Sequence, residues 1–199
     1  ISNLASRASG NALGSHHPVH PNDHVNRSQS TNDVFPAAIH VAAAKQLKDG
    51  LLPALDALVQ ALDVKAQAWM PIIKIGRTHL QDAVPLRLGD EVAAWRDQLK
   101  QAQVWLEACL VSLGDLPLGG TAVGTGLNTP PGFRHAVADE LSRVAGVDVR
   151  PAENLFAVMA GHDALVHGMG QLRLLAVALL RIANDVRLLG CGPRAGLGE

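Results

Sequence analysis

The sequence predicts an all-α fold, a bundle of long antiparallel helices that packs inside a homo-oligomer. Three long segments place apolar residues at steps of three and four, which is the spacing of one helical face: 34–68, 86–113 and 162–189. The last segment is apolar on a second face as well, through Leu174 and Leu175. Such a helix must be covered on both faces, and three helices of one chain barely provide that cover. Other copies of the chain are therefore expected to complete the bundle, and a self-contained bundle is the alternative.

Composition and charge narrow the possible functions. The 199 residues are enough for one large domain with a sizeable core. Lysine and arginine total 17 and aspartate and glutamate 18, so the formal net charge is -1 and binding to nucleic acid or to an anionic membrane is not expected. The two cysteines, Cys109 and Cys191, form neither a CxxC pair nor a metal-binding pattern, which favours a reducing, cytoplasmic location.

No membrane-spanning segment is predicted. The most apolar stretch, 172–189, is interrupted by four charged residues: Arg173, Arg181, Asp185 and Arg187. It is therefore interpreted as a core helix.

The first half of the chain is predicted to contain a short helix at 1–13, a polar loop at 15–33 with at most a turn or two of helix, and a helix from about Val34 to Ala68. Asp33 is the predicted N-cap of the long helix, because Pro36 then falls in the first turn, where its missing N–H is not needed. A bend is expected near Gly50 and Pro53.

The second half is predicted to contain a polar connection at 73–85, a helix at 86–113, a glycine- and threonine-rich loop at 114–132, a helix at 133–145, a linker with Pro151, and a last helix from Asn154 or His162 to Leu189. The glycine-rich loop is not interpreted as a phosphate-binding loop. Its GTGLN run does not follow a predicted strand and has no GK[ST].

The polar connection, IKIGRTHLQDAVP, is the first candidate functional segment. Gly76 and Pro85 punctuate it, so its polar residues are predicted in an irregular segment rather than on a solvated helix face. Thr78 and His79 are adjacent and point in different directions, so that a hydroxyl can hold a carboxylate while an imidazole handles a proton. A buried polar network that ties helices together is the alternative interpretation.

The second candidate is SQSTND, residues 28–33. Small hydrogen-bond donors precede a helix start, where exposed backbone N–H groups and the positive end of the helix dipole suit a carboxylate. Plain N-capping is the alternative.

Three histidines in the polar loop recur at helical spacing: His16, His20 and His24. Pro18 and Pro21 would break the helix that could align them as zinc ligands. Hydrogen bonding within the loop is therefore expected, and no metal site is assigned.

Five stretches resemble, in family order, the class II fumarases of the fumarase and aspartase superfamily. They are VHPNDHVNRSQSTNDVFP, KIGRTHLQDAVPLRLG, LGGTAVGTGLN, AGHDALV and IANDVRLLGCGPRAGLGE. The resemblance covers the whole chain and implies a homotetramer whose core is a bundle of long helices, with active sites shared between chains. It also implies reversible hydration of fumarate to L-malate, a step of the tricarboxylic acid cycle, without a metal or an organic cofactor.

The resemblance also implies the site residues. His79 matches the active-site histidine. The implied substrate-binding residues are Ser30, Thr31, Asn32 and Thr78. A second dicarboxylate site is implied at His20, Pro21, Asn22 and Asp23. Thr31 stands where the family usually has a serine, and it keeps the hydroxyl.

By the same resemblance, 1–32 is expected to be the end of an N-terminal domain, and 33–199 a central helical domain that is incomplete at its C-terminal end. The family's proton-abstracting serine lies on a loop beyond the GLGE turn. The 199 residues alone are therefore expected to be inactive.

Two alternatives stay open on the sequence. Aspartate ammonia-lyase shares the fold, and Thr31 gives an STN motif that resembles many aspartases, whereas His20, the GG of LGGTAVG and the HDALV stretch resemble fumarases. The second alternative is a truncated, non-catalytic helical piece that only joins assemblies.

Overall fold

The computed structural model describes residues 1–198 and is mainly helical, which confirms the all-α prediction. The chain divides into two compact units. One comprises Ile1–Ala44 and Leu113–Asp163, and the other comprises Lys45–Ser112 and the residues from Ala164 onward.

In chain order the elements are α1 (Ser2–Ala8), a π-helical turn (Pro21–Val25), α2 (Thr31–Gln46), a second π-helical turn (Leu47–Leu51), α3 (Leu52–Ala68), β1 (Ile73–Thr78), β2 (Gln81–Arg87), α4 (Leu88–Leu113), β3 (Asp115–Leu116), α5 (Phe133–Ala145), β4 (Arg150–Pro151), α6 (Leu155–Ala160) and α7 (Asp163–Leu189). The predicted helices at 86–113 and 133–145 agree with α4 and α5. The single helix predicted from Val34 to Ala68 is interrupted by the second π-helical turn, which contains Gly50.

In the first unit, one face of α2 is buried through residues at steps of four, three and four: Asp33, Ala37, His40 and Ala44. Two members of this buried stripe are polar. The apolar core of the unit includes Leu116 and Leu118, which follow the end of α4, and Leu155 at the start of α6. β3 and β4 form a two-residue parallel pair, which ties the chain after α4 to the chain before α6.

The predicted start of α2 is wrong by three residues. The helix begins at Thr31, and Asp33 lies in its first turn rather than at the cap. Ser30 occupies the cap position, because its carbonyl accepts the hydrogen bond of the Val34 N–H at 3.0 Å. Asp33 is a good capping residue by type, but the preceding serine takes that role and leaves the aspartate free for another.

The prediction of an irregular connection at 73–85 is also wrong. It forms an antiparallel hairpin of β1 and β2 with an irregularity in the register between Ile75 and Arg77. Gly76 lies at this irregularity, and a Cβ there would approach the carbonyl oxygen of Val84 to 2.7 Å. Gly76 therefore does not interrupt secondary structure, as the sequence pattern suggests, but permits the close approach of the two strands.

In the second unit, α3, α4 and α7 pack around Ala66, Val92 and Trp95. Ile182 and Leu189 of α7 cover this cluster. α3 and α4 approach closely, because a Cβ on Gly89 would lie 2.4 Å from the carbonyl oxygen of Ala66. The hydrophobic effect holds the three helices together, and even alanine would clash in place of this glycine, because the Cβ itself meets backbone atoms.

α7 buries little of its apolar surface in this structure. Leu175 is its one buried residue among those described. Val166, Met169, Val177 and Leu180 lie on one exposed face, with 60–69% of their surface accessible. By length and hydropathy α7 could cross a membrane. Its charged residues speak against that reading, since Asp185 accepts a hydrogen bond from the indole of Trp95 within the unit.

Candidate functional site

The start of α2 is closed by a reciprocal pair of hydrogen bonds. The Ser30 hydroxyl accepts from the Asn32 N–H at 3.2 Å, and the Asp33 carboxylate reaches back to accept from the Ser30 N–H at 2.9 Å. This is a variant of the capping box: an aspartate replaces the usual glutamate at the third helical position, and the serine hydroxyl accepts from the second helical N–H rather than the third. The Ser30 O–H uses only its oxygen here, so its hydrogen stays available to donate to a ligand.

The same Asp33 carboxylate holds the glycine-rich loop. Its second oxygen accepts from the N–H of Gly119 at 3.0 Å and from the N–H of Thr121 at 2.9 Å. The Asn32 side-chain amide adds a third tie, donating to the carbonyl oxygen of Ala122 at 2.8 Å. The loop at 119–122 is therefore fixed to the first turn of α2.

Residues 22–30 and 121–128 enclose an open cavity of about 610 Å³. Its lining is polar: Asn22, Asp23, Asn26, Arg27, Ser28, Gln29, Ser30, Thr121 and Asn128 line it together with Ala122 and Leu127. Of the described residues that line it, Arg27 is the only cation and Asp23 the only acid. A small anion can be received here by donors of both segments.

The backbone around the cavity is held in an uncommon conformation. Ser28, Thr121 and Asn128 have φ of 62°, 56° and 69°, in the left-handed region that non-glycine residues rarely adopt. The Ser28 hydroxyl donates to the carbonyl of Asn128 at 2.9 Å and so joins two of these residues across the cavity. Such conformations cost energy and persist where the surroundings fix them, which is common at ligand-binding sites.

Two of the three residues of the implied SSN motif face solvent. Ser30 is half-buried and lines the cavity, whereas Thr31 and Asn32 are exposed beside it. The Thr31 hydroxyl has no partner among the described residues, and Asn32 keeps one N–H and its carbonyl oxygen for a ligand after its bond to Ala122. The three side chains surround the positive end of the α2 dipole.

The last three HPND residues, Pro21, Asn22 and Asp23, lie in the first π-helical turn. His20 precedes it and accepts the N–H groups of Asn22 at 3.3 Å and Asp23 at 3.2 Å on its Nδ1. One oxygen of the Asp23 carboxylate also lies 3.2 Å from the same nitrogen. His24 Nδ1 likewise accepts the His20 N–H at 2.8 Å.

His20 and His24 thus have the hydrogen-bonding role that the sequence predicts, whereas the His16 ring contacts the His20 ring edge-on, with centroids 4.9 Å apart. Within residues 1–198, no group of three or more His, Cys, Asp or Glu side chains is arranged to hold a metal ion.

Thr78 and His79 lie at the tip of the β1–β2 hairpin. Thr78 pairs with Gln81, and the two residues between them, His79 and Leu80, have φ of 50° and 63°. A two-residue turn with both φ positive matches the twist of the strands. Thr78 and His79 are both exposed, and an ion pair of 2.7 Å between Arg77 and Asp82 joins the strands next to the turn.

The structure therefore brings Asn22, Asp23 and Ser30 to one cavity of the first unit, with Thr31 and Asn32 at the adjoining helix start. Thr78 and His79 belong to the hairpin of the second unit. Sequence reasoning missed the role of Asp33 as the link to the loop. Its signal was a polar residue in the same buried helical stripe as Ala37 and Ala44.

His40 is a second polar residue that the sequence did not single out. Its side chain is buried, and Nδ1 lies 3.1 Å from the carbonyl oxygen of Leu113, at the end of α4. Nε2 has no partner among the described residues. Burial lowers the pKa of His40 from its usual value, more than the Leu113 carbonyl raises it. The residue is thus neutral at pH 7 and donates from Nδ1.

Comparison with known proteins agrees with the resemblance in the sequence. Residues 3–199 match the profile of a protein family described as lyase. The chain belongs to the lyase family. The chain is 69% identical over 199 residues to a class II fumarate hydratase of Parasynechococcus marenigrum and 53% identical to a mitochondrial fumarate hydratase of Danio rerio.

Among solved structures, the chain is similar to a class II fumarase from Schistosoma mansoni, with 40% sequence identity and a TM-score of 0.95. All of the chain is covered in each of these comparisons. It spans 43% of the Parasynechococcus protein, 39% of the Danio protein and 44% of the Schistosoma chain. The resemblance to class II fumarases is therefore confirmed for a stretch that makes up less than half of those relatives.

The buried His40 predicts a dependence of stability on pH. Because its pKa is lower in the folded state than in the unfolded chain, the unfolded chain binds more protons at mildly acidic pH. The free energy of unfolding should be largest above the unfolded-state pKa, about 6.5, and should fall as the pH drops through the folded-state value.

Urea unfolding at several pH values measures this dependence. His40→Gln should flatten it between pH 7 and acidic pH, whereas His135→Gln, at an exposed position of α5, should keep the dependence of the parent. An equal slope for parent and His40→Gln would show that His40 does not cause it.

Proposed function

We propose that this chain supplies the dicarboxylate-binding part of a class II fumarate hydratase, which reversibly hydrates fumarate to L-malate. One observation carries the proposal: the Ser30, Thr31 and Asn32 donors surround a helix start beside a polar cavity, in a chain 69% identical to a fumarate hydratase. Relatives extend well beyond the 199 residues, and the proton-abstracting serine is expected in that further part.

The chemistry explains why such donors are needed. Malate loses a proton from the carbon beside a carboxylate, and the negative charge then develops on that carboxylate. Donors that are already oriented stabilise this charge more than mobile water does. The Ser30 O–H, the Thr31 O–H, the free N–H of Asn32 and the first turn of α2 are donors of this kind. No metal ion or organic cofactor enters the proposal.

Thr78 and His79 are proposed to act in active sites that several chains of the assembly share. The hairpin tip exposes both side chains, so that the Thr78 hydroxyl can bind a carboxylate while His79 orients water or exchanges a proton. Asn22 and Asp23, with His20 and Pro21, are proposed as a second dicarboxylate site near the first. In support, Asn22 and Asp23 line the same cavity as Ser30.

We further propose that the assembly is a homotetramer in the cytoplasm. The exposed apolar face of α7 supports it, because a contiguous apolar helix face is normally covered by a partner. A second copy of the same helix provides a matching apolar face. Both cysteines are free, which agrees with a reducing compartment.

The homotetramer can be tested with a chimera. In it, residues 1–199 of this chain replace the matching part of the Parasynechococcus protein. The parent chimera should sediment as a tetramer, and Val177→Lys should yield smaller species, because burying an unpaired ammonium at an apolar contact is unfavourable. Val144→Lys, the same substitution at an exposed valine of α5, should leave the tetramer intact. A monomeric parent, or a tetrameric Val177→Lys, would contradict the proposed interface.

The same chimera tests the reaction. Offered fumarate in water, it should form L-malate without any need for ammonia, whereas the 199 residues alone should form none. Loss of the ultraviolet absorbance of fumarate and identification of the product measure both results.

Two other outcomes correspond to the alternatives. Aspartate formed only in the presence of ammonia would identify an aspartate ammonia-lyase, which the STN motif at Thr31 resembles. A folded tetrameric chimera that turns over neither way would favour a non-catalytic assembly piece.

The hydroxyl of Thr31 predicts a specific pattern in the chimera. Thr31→Val should raise KM for fumarate about tenfold, since one hydrogen bond to a charged group contributes about 1.5 kcal/mol. Thr31→Ser keeps the hydroxyl and should stay close to the parent. Equal KM values for both variants would mean that Thr31 does not touch the substrate.

A further inference from the structure

Asp33 is a fully buried carboxylate without a cationic partner. It is 0% exposed, and no lysine, arginine or histidine forms an ion pair with it among the described residues. An isolated buried carboxylate is strongly unfavourable unless hydrogen bonds replace its lost water. Here three backbone N–H groups do so, from Ser30, Gly119 and Thr121. The Asp33 carboxylate therefore joins two backbone segments, the start of α2 and the loop at 119–122.

The second of these segments, the loop at 119–122, needs such a partner. Gly119 has φ of 93° and Thr121 has φ of 56°. A Cβ on Gly119 would lie 2.6 Å from the Cβ of Arg134, so the loop lies close against α5. A threonine in the left-handed region costs energy, and the two hydrogen bonds to Asp33 on either side of Gly120 stabilise that conformation.

The loop and Asp33 each orient one residue of the candidate site. The Asn32 amide donates to the Ala122 carbonyl, so the placement of Ala122 orients the Asn32 side chain. The other Asp33 oxygen holds the N–H of Ser30, which sets the hydroxyl that lines the cavity. Asp33 itself is fully buried and does not line the cavity, and it acts on both residues through the backbone.

We propose that Asp33 is a positioning residue of the dicarboxylate site. Its carboxylate clamps the loop at 119–122 to the start of α2 and so holds Ser30 and Asn32 in the conformation that binds substrate. This inference rests on the proposed function of the same site. A purely electrostatic role has the opposite consequence, because a buried negative charge near a bound dianion repels it, and neutralising that charge would tighten binding.

The test uses Asp33→Asn in the chimera. Asparagine keeps the shape but has one acceptor oxygen and turns an NH₂ group toward backbone donors. The clamp predicts that KM for fumarate rises about tenfold while kcat falls less, and that the dissociation constant of the non-reacting probe succinate rises about tenfold. Asp49→Asn, at an exposed aspartate paired with Lys45, is the matched control and should bind succinate like the parent.

Amide hydrogen exchange gives a readout independent of turnover. The N–H groups of Gly119 and Thr121 should exchange at least about tenfold faster in Asp33→Asn, because their acceptor is weakened. In the unmodified chimera, succinate should slow the exchange of both amides, a result that does not depend on whether the variant folds.

The outcomes separate the two claims. A parent chimera that binds succinate but does not hydrate fumarate contradicts the proposed function, and the succinate and exchange data still decide the clamp. The proposed clamp would be overturned if Asp33→Asn had a KM and a succinate dissociation constant equal to or lower than those of the parent. Exchange at Gly119 and Thr121 that neither succinate nor the substitution changes would overturn it as well.

Discussion

The buried carboxylate of Asp33 is the interaction on which the geometry of the first unit's cavity depends. It accepts hydrogen bonds from the backbone on both sides of the cavity, at Ser30 and at Gly119 and Thr121. An unpaired carboxylate in this position would destabilise the fold, so the loop and the helix start must meet for the unit to be stable. The same hydrogen bonds of Asp33 therefore stabilise the fold and position the donors that line the cavity.

The second unit is held together by apolar packing rather than by buried polar contacts. α3 and α4 are held by close packing at Gly89 and by the cluster around Trp95, whereas α7 contributes Ile182 and Leu189 to that cluster and leaves Val166, Val177 and Leu180 exposed. A helix with two apolar faces meets its requirement for burial only when a partner supplies the second contact. This is the physical basis for expecting the assembled protein, and not the single chain, to be the stable form.

The sequence was sufficient for the long helices and insufficient for local hydrogen-bonding choices. α4 followed from periodicity alone, because its apolar residues at steps of three and four from Val92 to Leu113, among them Leu99 and Leu106, are buried. The β1–β2 hairpin did not follow, since its turn is formed by His79 and Leu80 rather than by asparagine and glycine.

The candidate site divides in the same way. Ser30, Thr31 and Asn32 could be singled out from residue type and position before a helix. That Ser30 rather than Asp33 caps α2 could not, because both residue types cap helices well, and the choice depends on the N–H groups of a loop about ninety residues away. Long-range contacts of this kind leave no local pattern in a sequence.

The most direct measurement is a crystal structure of the chimera with bound succinate. The account predicts a carboxylate at the start of α2, within about 3 Å of donors on Ser30, Thr31 or Asn32, with the Asp33 hydrogen bonds to Gly119 and Thr121 intact. Succinate bound only elsewhere, with the start of α2 contacting water alone, would contradict the claim that this helix start is the dicarboxylate site.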